Sequence, residues 1–502
     1  MQTKAKLSTK HIYEFYRYLE EKGVENHGLL IVKEGETLFE EYAYPYSENM
    51  PHTLFSVTKS IVSTAVGFAI SEGLLSLDTK IEDIFPEYEK CKGDQWQTLT
   101  VRSVLTMQSN KEFTFLQDMT GDYVEMFMKA PFRKKGGFLY SNNDAHICAA
   151  AVQKVTGMSL VEYLTPRLFE PLGIDIPFWE TNNKGECIGG TGCYLKLRDL
   201  VKIMLCYSQG GRYEGQQIIP EFWTEEATKI QVKFNGKNGY GYLFWINGSI
   251  YSMTGMYGQI IAYSKKHNAV LGSFNCAIDE EEHTYALHRL SLKLFSDTED
   301  EEYTGKLSEY LEKRKEKPIE CITQPRLPFG KELELTKASK RRSSFLFPQS
   351  IIPRTITCSL AKRPKTCLNR LSFTLDEKVL TVKWYEEEDL VEICCGLDGE
   401  PRLSECSIKG YPYKLWAYAY TEGEKVKIVC RILNTLATRY ITIENLGDSL
   451  TMTLKGTPDF KEFLIKNATS PDFVKKHSIV KKATEGFVGG LANAMDKPLI
   501  FK

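Results

Sequence analysis

The stretch Thr53-Leu54-Phe55-Ser56-Val57-Thr58-Lys59-Ser60 runs directly into an uncharged segment that extends from Ile61 to Ile70. A helix over this segment would be apolar on most of its circumference, which is typical of a buried helix. Ser56 and Lys59 are three residues apart, so their side chains would share one face of that helix. Burial disfavours the charged form of an amine, and an uncharged Lys59 could accept the proton of the Ser56 hydroxyl. The stretch therefore predicts a buried helix that carries a serine nucleophile and its base.

The Ser-x-x-Lys pattern alone is a weak signal. It occurs three times in the chain, at Ser56/Lys59, Ser359/Lys362 and Ser478/Lys481. Only the first occurrence opens a long uncharged helix. In an arbitrary sequence the serine would more often be a helix N-cap and the lysine a surface residue. The catalytic interpretation therefore depends on what the rest of the chain supplies.

The bulk composition is that of an ordinary globular protein. The chain has 502 residues, enough for two or three domains. Its formal net charge is −1, which gives no indication of nucleic acid or an anionic membrane as a partner. The longest apolar run is too short to span a bilayer. We therefore expect neither a nucleic-acid partner nor a membrane partner.

The N-terminus and the cysteines point to the same kind of environment. Met1 to Leu7 includes basic residues but no apolar core follows, so no secretory signal is visible and we expect a cytoplasmic protein. The 13 cysteines lack Cys-x-x-Cys spacing, which is typical of reduced thiols. The 8 histidines are also dispersed. We therefore expect no metal and no cofactor.

The order of predicted elements up to about residue 300 indicates an α+β fold. Hydrophobic runs on either side of a Gly-containing turn predict a hairpin over 28–42. Helical segments follow, and strands return at 239–245, 259–263 and 269–273, before a helix at about 281–296. Strands at both ends of a helical middle predict an antiparallel sheet flanked by helices.

The composition changes after residue 300. Charged runs and three prolines predict a charged, proline-containing linker over 301–328, which would end a first domain of residues 1–300. Alternating apolar and polar positions over 329–470 predict a C-terminal all-β domain with antiparallel strands. Residues 471–502 are expected to form a C-terminal tail.

A second group of chemical interest is Tyr140-Ser141-Asn142. A tyrosine near an uncharged lysine can share its proton, acting as base toward the serine and then as acid toward the leaving group. Asn142 could hold the lysine or a substrate carbonyl. The alternative interpretation is a helix start, with Asn142 or Asn143 as the cap.

A third group lies at the edge of a predicted strand, in Tyr251 to Gln259. Gly255 there allows close approach of a ligand or of another backbone segment. The backbone N–H of Met256, together with that of Ser56, could form an oxyanion hole, and Gln259 is a further candidate for positioning. The alternative is an ordinary hairpin in which glycine only makes the backbone more flexible.

Taken in order, these groups resemble the motifs of the serine β-lactamase/penicillin-binding-protein superfamily, in particular its esterase and amide-hydrolase branch. The resemblance covers roughly residues 10–295 and is also carried by the segments 100–107, 168–174 and 190–200. The pattern Gly255-x-x-Gly258-Gln259 is similar to that of the esterase and oligoamide-hydrolase branch.

The resemblance implies a role for each group. Ser56 would be acylated, Lys59 would be the general base, Tyr140 would relay the proton, and water would then release the acyl group. One position departs from the β-lactamase pattern, because Met253 stands where a Lys or His usually precedes the third motif. A cationic anchor for a substrate carboxylate is then missing, which argues against β-lactams as natural substrates.

The sequence therefore predicts a serine hydrolase that cleaves an ester or amide through an acyl-Ser56 intermediate, with a small-molecule or short-peptide acyl substrate. A family-level fold does not determine the substrate. Two alternatives remain open. One is a peptidase or acyltransferase that uses the same acyl-enzyme, and the other is a non-catalytic binding homologue, against which the intact Ser/Lys/Tyr set argues.

Overall fold

The structure, a computed structural model, divides the chain into two compact units. The main segment of the first unit ends at Arg314, and the second unit begins at Lys315. The described residues are 6–112, 122–277, 284, 286–287, 289–291, 293–296, 301–315, 325–344, 350–352, 368–386, 388–408, 410–459 and 497–502. The helix predicted at 281–296 is therefore described only in part, and most of the tail predicted over 471–502 lies outside the described residues.

Short and medium-length helices account for much of the first unit. The helices with defined bounds are α1 (Thr9–Glu21), α2 (Val57–Ser71), α3 (Ile81–Ile84), α4 (Val101–Leu105), α5 (Tyr123–Lys129), α6 (Asn142–Thr156), α7 (Leu160–Leu164), α8 (Leu197–Ser208), α9 (Glu221–Ala227), α10 (Glu301–Lys313) and α11 (Lys337–Ser344). Only α11 belongs to the second unit among these. None of the helices in the described part of the chain is long and apolar enough to cross a membrane.

The first unit is built around an eight-stranded antiparallel sheet with the order β3-β2-β14-β13-β12-β11-β10-β9. The strands of this unit are β1 (Lys6–Leu7), β2 (Glu25–Lys33), β3 (Glu36–Tyr42), β4 (His52–Thr53), β5 (Phe178–Trp179), β6 (Cys193–Leu195), β7 (Arg212–Tyr213), β8 (Gln216–Gln217), β9 (Val232–Lys233), β10 (Asn238–Tyr240), β11 (Trp245–Asn247), β12 (Ile250–Gly255), β13 (Gln259–Ser264), β14 (Ala269–Cys276) and β15 (Phe295–Ser296). The predicted antiparallel sheet flanked by helices is confirmed.

Successive residues of the central strands point into two different cores. In β2, Leu30 and Val32 face the larger core that contains α2, α6 and α8, whereas Leu29 and Ile31 face a smaller core shared with α1. This alternation follows from the two-residue period of a strand. Both faces of the sheet are covered, so the strands read as nearly continuous apolar runs in the sequence.

Helix α2 is the buried helix that the sequence predicts. All its residues from Val57 to Ala69 are buried. Two of its buried hydroxyl groups are hydrogen-bonded to carbonyls: Ser60 donates to the carbonyl of Leu243 at 2.7 Å, and Thr64 donates to the carbonyl of Ser60 at 3.0 Å. These bonds offset the cost of placing hydroxyl groups in an apolar core.

The predicted linker over 301–328 begins with a helix rather than with solvated chain. Helix α10 packs against α1 through Leu307, and Tyr310 and Leu311 add to the same apolar side. The boundary between the units falls after this helix, inside the predicted linker. The sequence missed α10 because charged residues dominate the segment and hide a narrow apolar face.

The second unit is a nearly closed, mostly antiparallel sheet, which confirms the predicted C-terminal all-β domain. Its strands are β16 (Glu332–Glu334), β17 (Leu368–Asp376), β18 (Val379–Glu386), β19 (Asp389–Gly396), β20 (Arg402–Ile408), β21 (Tyr411–Glu422), β22 (Lys425–Ile432), β23 (Ala437–Asn445), β24 (Leu450–Thr457) and β25 (Leu499–Phe501). Glu334 and Lys502 exchange two backbone hydrogen bonds of 2.9 Å. These bonds join the first strand of the unit to its last.

Candidate active site

The Ser56 hydroxyl and the Lys59 amine are in contact at the start of α2. Lys59 Nζ lies 2.7 Å from Ser56 Oγ. Ser56 occupies the N-cap position, but its side chain makes no capping hydrogen bond. Lys59 is completely buried, whereas Ser56 is partly exposed. Ser56 therefore keeps partial contact with solvent, while the amine of Lys59 is removed from it.

The residue before Ser56 has an unusual backbone conformation. Phe55 has a φ of 48°, in the left-handed region that bulky side chains rarely adopt. Its ring is buried and packs edge-to-face on Tyr257, with the ring centroids 5.3 Å apart. Such conformations cost free energy and persist where the surrounding structure enforces them, often at functional sites.

Lys59 Nζ contacts three oxygen atoms at the same distance. Besides Ser56 Oγ, these are Asn142 Oδ1 and the carbonyl oxygen of Gly190, each at 2.7 Å. The amide and carbonyl oxygens can only accept hydrogen bonds, whereas a hydroxyl can also donate one. In the neutral amine, two N–H groups would therefore point at Asn142 and Gly190, and the lone pair would point at Ser56. The surroundings of Lys59 would thus direct the lone pair of a neutral amine at the hydroxyl, while the role of Lys59 as a base stays a prediction.

The Gly190 carbonyl reaches Lys59 because two adjacent glycines run against α6. A Cβ atom on Gly189 would lie 2.4 Å from the Cβ of Ala149, and one on Gly190 would lie 2.9 Å from the carbonyl oxygen of Asn142. Any larger residue would push this segment away from the helix. Sequence reasoning included Gly190 only as part of a motif and missed its contact with Lys59, for which the glycine pair was the available signal.

Tyr140 lies beside the Lys59 amine, just before the start of α6. Its ring centroid is 4.9 Å from Lys59 Nζ, and the ring stacks on Trp245 with centroids 5.4 Å apart. The helix-start interpretation of this segment is also correct, but the cap is Ser141, whose hydroxyl accepts a 3.2 Å hydrogen bond from the N–H of Asp144. One short segment thus starts a helix and brings a phenol to the site, while proton relay by Tyr140 stays a prediction.

The end of β12 passes very close to the backbone around Ser56. A Cβ atom on Gly255 would lie 2.3 Å from the carbonyl oxygen of Leu54 and 3.3 Å from the amide nitrogen of Ser56. The close approach expected at Gly255 is therefore present. Met256 follows and opens a single turn, Met256–Gly258, in which Tyr257 has a φ of 62°. An oxyanion hole formed by the N–H groups of Ser56 and Met256 stays a prediction.

Gln259 supports this turn from inside the protein. Its side chain is fully buried, and its amide nitrogen lies 3.3 Å from the carbonyl oxygens of both Met256 and Tyr257 and 2.6 Å from that of Asn275. Its amide oxygen accepts a 3.2 Å hydrogen bond from the N–H of Asn275. Gln259 is thus placed to hold the turn rather than to touch a substrate.

A cluster of aromatic rings extends outward from Tyr140. The rings contact one another with centroid separations of 4.7–6.3 Å, and they belong to Phe138, Tyr140, Phe234, Tyr240 and Trp245. Phe234 is 42% exposed at the outer end of the cluster. Sequence reasoning missed this surface, because its members come from separate segments whose proximity is created by the fold.

Asp144 is a buried carboxyl one turn into α6. The hydroxyl of Ser109 donates a 2.8 Å hydrogen bond to it. Burial raises the pKa of Asp144 to about 7, although the hydrogen bonds from Ser109 and Ser141 oppose that shift. Across the described residues, no group of three or more His, Cys, Asp or Glu side chains is arranged to hold a metal ion.

Comparison with known proteins places these residues in context. The sequence model of the Beta-lactamase family matches residues 15–285. The chain is similar to 6-aminohexanoate-dimer hydrolase from Paenarthrobacter ureafaciens, with 25% identity over 39% of this chain and 56% of that protein. It is also similar to penicillin-binding protein 4* from Bacillus subtilis (strain 168), with 23% identity over 33% of this chain and 40% of that protein. The chain thus matches about half the length of these curated relatives.

Among solved structures, a penicillin binding protein from Bacillus halodurans is similar over 55% of this chain and 98% of that one. The TM-score of that superposition is 0.44 and the sequence identity is 18%.

Proposed function

Because the chain belongs to the beta-lactamase family, we propose that it is a serine hydrolase that cleaves an ester or amide through an acyl-Ser56 intermediate. The observation that carries the proposal is the contact of Lys59 Nζ with three oxygen atoms at 2.7 Å. Two of these oxygens fix the direction of the N–H groups, which leaves the lone pair of a neutral amine aimed at the Ser56 hydroxyl.

In the first half-reaction, Ser56 Oγ attacks the substrate carbonyl while its proton passes to Lys59. The carbonyl oxygen becomes an oxyanion, for which the N–H groups of Ser56 and Met256 are the proposed donors. When the tetrahedral intermediate collapses, the leaving alcohol or amine takes a proton by way of Tyr140. Water then attacks the acyl-enzyme, so that the acid is released and the Ser56 hydroxyl is restored.

We propose an acyl substrate without a carboxylate that must be anchored next to the reacting bond. Met253, at the position of the usual cation, is completely buried and lies in mid-strand opposite Ile261. The aromatic cluster beside Tyr140 instead offers a flat apolar surface for an acyl chain or an apolar leaving group. The Paenarthrobacter ureafaciens relative is named for the hydrolysis of a 6-aminohexanoate dimer, which supports ester or amide cleavage outside a β-lactam ring.

The nucleophile is tested with a fluorophosphonate probe, peptide mapping and a nitrophenyl ester. We expect labelling at Ser56, and we expect Ser56→Ala to lose both labelling and turnover. Ser359→Ala is a control, because Ser359 begins another Ser-x-x-Lys pattern that no long uncharged segment follows. Full turnover in Ser56→Ala would refute the proposal. Product analysis with an added amine distinguishes hydrolysis from transfer to an acceptor.

The apolar acyl surface is tested separately with a series of esters of increasing acyl length. Phe234→Ala should reduce kcat/KM for long acyl chains and leave the acetyl ester unaffected. Phe222→Ala is a matched control, since Phe222 is 44% exposed in the same unit, close to the 42% of Phe234. Equal effects of the two substitutions would exclude this surface as an acyl site.

A further inference from the structure

A continuous series of buried amides connects the Met256–Gly258 turn to Arg314, which follows α10. Asn275 is fully buried, and its side-chain nitrogen donates to the carbonyl oxygen of Gly258 at 2.6 Å. The side-chain nitrogen of Asn26 donates to Asn275 Oδ1 at 2.8 Å. Arg314 Nη2 in turn donates to Asn26 Oδ1 at 2.9 Å. The links to and from Asn26 have the ordinary length of an N–H···O hydrogen bond, and the link to Gly258 is slightly shorter.

Both ends of the series determine its direction, because the Arg314 guanidinium can only donate and the Gly258 carbonyl can only accept. Arginine has only donors, so the atom of Asn26 that faces Arg314 must be the amide oxygen. The amide nitrogen of Asn26 then faces Asn275, which must present its own oxygen in return. The nitrogen of Asn275 is thereby directed at Gly258. A positive charge at one end polarises each successive bond and strengthens it.

Arg314 itself is fixed by a buried ion pair. Its Nε lies 3.1 Å from Glu41 Oε1, and the two side chains are only 13% and 7% exposed. The Tyr16 hydroxyl donates to the other oxygen of Glu41 at 3.0 Å, and the Arg314 guanidinium lies over the Tyr16 ring. Arg314 also donates to the backbone carbonyl of Asn26 at 2.9 Å. The guanidinium therefore has little freedom to turn away from the amide series.

The other end of the series fixes a turn that is strained at one residue. Tyr257 has a φ of 62°, in the region that bulky side chains rarely adopt, and the φ of 90° at Gly258 is one that glycine accommodates. All three carbonyl oxygens of the turn are held from inside: those of Met256 and Tyr257 by Gln259, and that of Gly258 by Asn275. A turn held by its carbonyls keeps the backbone of Met256 in one position, which is where the proposed function requires an oxyanion donor.

We propose that Arg314, Asn26 and Asn275 are positioning residues of the hydrolase site, acting through a directed hydrogen-bond series that holds the Met256–Gly258 turn against Ser56. The inference rests on the proposed function, because the turn matters for catalysis only if its amide stabilises an oxyanion. The same inference implies that α10 contributes to activity, because this helix ends at Lys313 and Arg314 is the next residue.

The direct test is Asn26→Asp, which keeps the shape and the acceptor for Arg314 but replaces the donor to Asn275 with an oxygen. Asn275→Asp makes the equivalent change one step closer to the turn. We expect kcat for the nitrophenyl ester to fall about 10-fold with KM nearly unchanged. This decrease is smaller than the roughly 100-fold or larger loss in kcat when an oxyanion donor is removed, because here the donor is only displaced. A purely structural role would lower the melting temperature and the amount of active protein without changing kcat per labelled site.

Arg198→Gln is the matched control. Arg198 makes a two-point ion pair with Glu40, the strand neighbour of Glu41, but takes no part in the series. It should retain wild-type kcat. If Asn26→Asp and Asn275→Asp do not fold, Arg314→Lys tests the positioning inference instead. This substitution keeps the positive charge beside Glu41 but lacks the planar set of donors. Its kcat should fall at least about 3-fold with KM unchanged.

The outcomes separate this inference from the proposed function. If wild-type protein is active, Ser56→Ala is inactive and the folded series variants match Arg198→Gln in kcat, the positioning inference is wrong while the hydrolase proposal stands. If Ser56→Ala keeps full turnover, the hydrolase proposal itself fails.

Discussion

Replacement of Gly255 by alanine tests whether the close approach of β12 to Ser56 matters for catalysis. The added Cβ atom would lie 2.3 Å from the carbonyl oxygen of Leu54, and contacts below 3.0 Å essentially never occur for real Cβ atoms. The two backbone segments must therefore separate by about 0.7 Å, since neither contact atom belongs to a flexible side chain. The φ of −126° and ψ of 156° at Gly255 suit alanine, so the effect is steric and not conformational.

A displacement of this size lies close to the proposed oxyanion donors. Misplacement by about 1 Å can cost roughly 100-fold in rate, so we expect kcat/KM of Gly255→Ala to fall by that order, equivalent to about 2.7 kcal/mol of transition-state stabilisation. Steady-state kinetics with a nitrophenyl ester measures the change. The loss should appear in kcat, because the displaced amide contributes only when negative charge develops on the carbonyl oxygen.

Gly305→Ala provides the matched control. Gly305 lies in α10 with no atom within 4 Å of its added Cβ, so alanine there has open space. It should retain wild-type kcat and gain about 1 kcal/mol of helix stability. A folded Gly255→Ala protein with wild-type kcat/KM would refute the argument that this strand end takes part in transition-state stabilisation.

Three further predictions concern the base, the buried carboxyl and the core. Lys59→Met should fold but lose at least about 100-fold in the rate of fluorophosphonate labelling at Ser56, because the base is gone. Burial raises the pKa of Asp144 from 3.8 to about 7. Between these two values the folded protein keeps a proton on Asp144 that the unfolded chain has released. The free energy of unfolding of the wild type therefore decreases as the pH rises from about 4 to about 7. Asp144→Asn should therefore gain up to about 4 kcal/mol relative to wild type between pH 4 and pH 8 in urea unfolding. Gly67→Ala should cost about 1–3 kcal/mol, since its Cβ would lie 2.4 Å from the Trp223 ring, and no loss in melting temperature would contradict that packing.

The parts of the site that the sequence predicts are those in which local pattern and chemistry coincide. The uncharged run after Ser60 predicts burial of α2, and a three-residue spacing then places Ser56 beside Lys59 on any regular helix. The glycine at a strand edge predicts the close approach at Gly255. The contact of Ser56 with Lys59 joins residues that are three apart in the sequence, and the close approach at Gly255 follows from the absence of a side chain.

The parts that the sequence does not predict depend on pairing over long separations. The Gly190 carbonyl that contacts Lys59 is 131 residues away in the chain, and Asn26 is 249 residues from Asn275. No periodicity connects such positions, and asparagine or glycine in a loop is more often a turn residue than a contact. Helix α10 was not predicted for a different reason. Its apolar face is narrow, and its charged composition resembles that of a linker.

The strain near the nucleophile indicates why the site needs a rigid surrounding. Phe55 and Tyr257 both have left-handed φ values, and each conformation costs on the order of 1–3 kcal/mol. The two strained residues precede and follow the proposed oxyanion donors Ser56 and Met256, and their rings pack on each other in the core. Relaxing either residue would move a donor, so the fold must hold both at once. The buried amides behind Tyr257 and the fully buried helix after Phe55 provide that restraint, which is why substitutions in these supports should reduce kcat before they prevent folding.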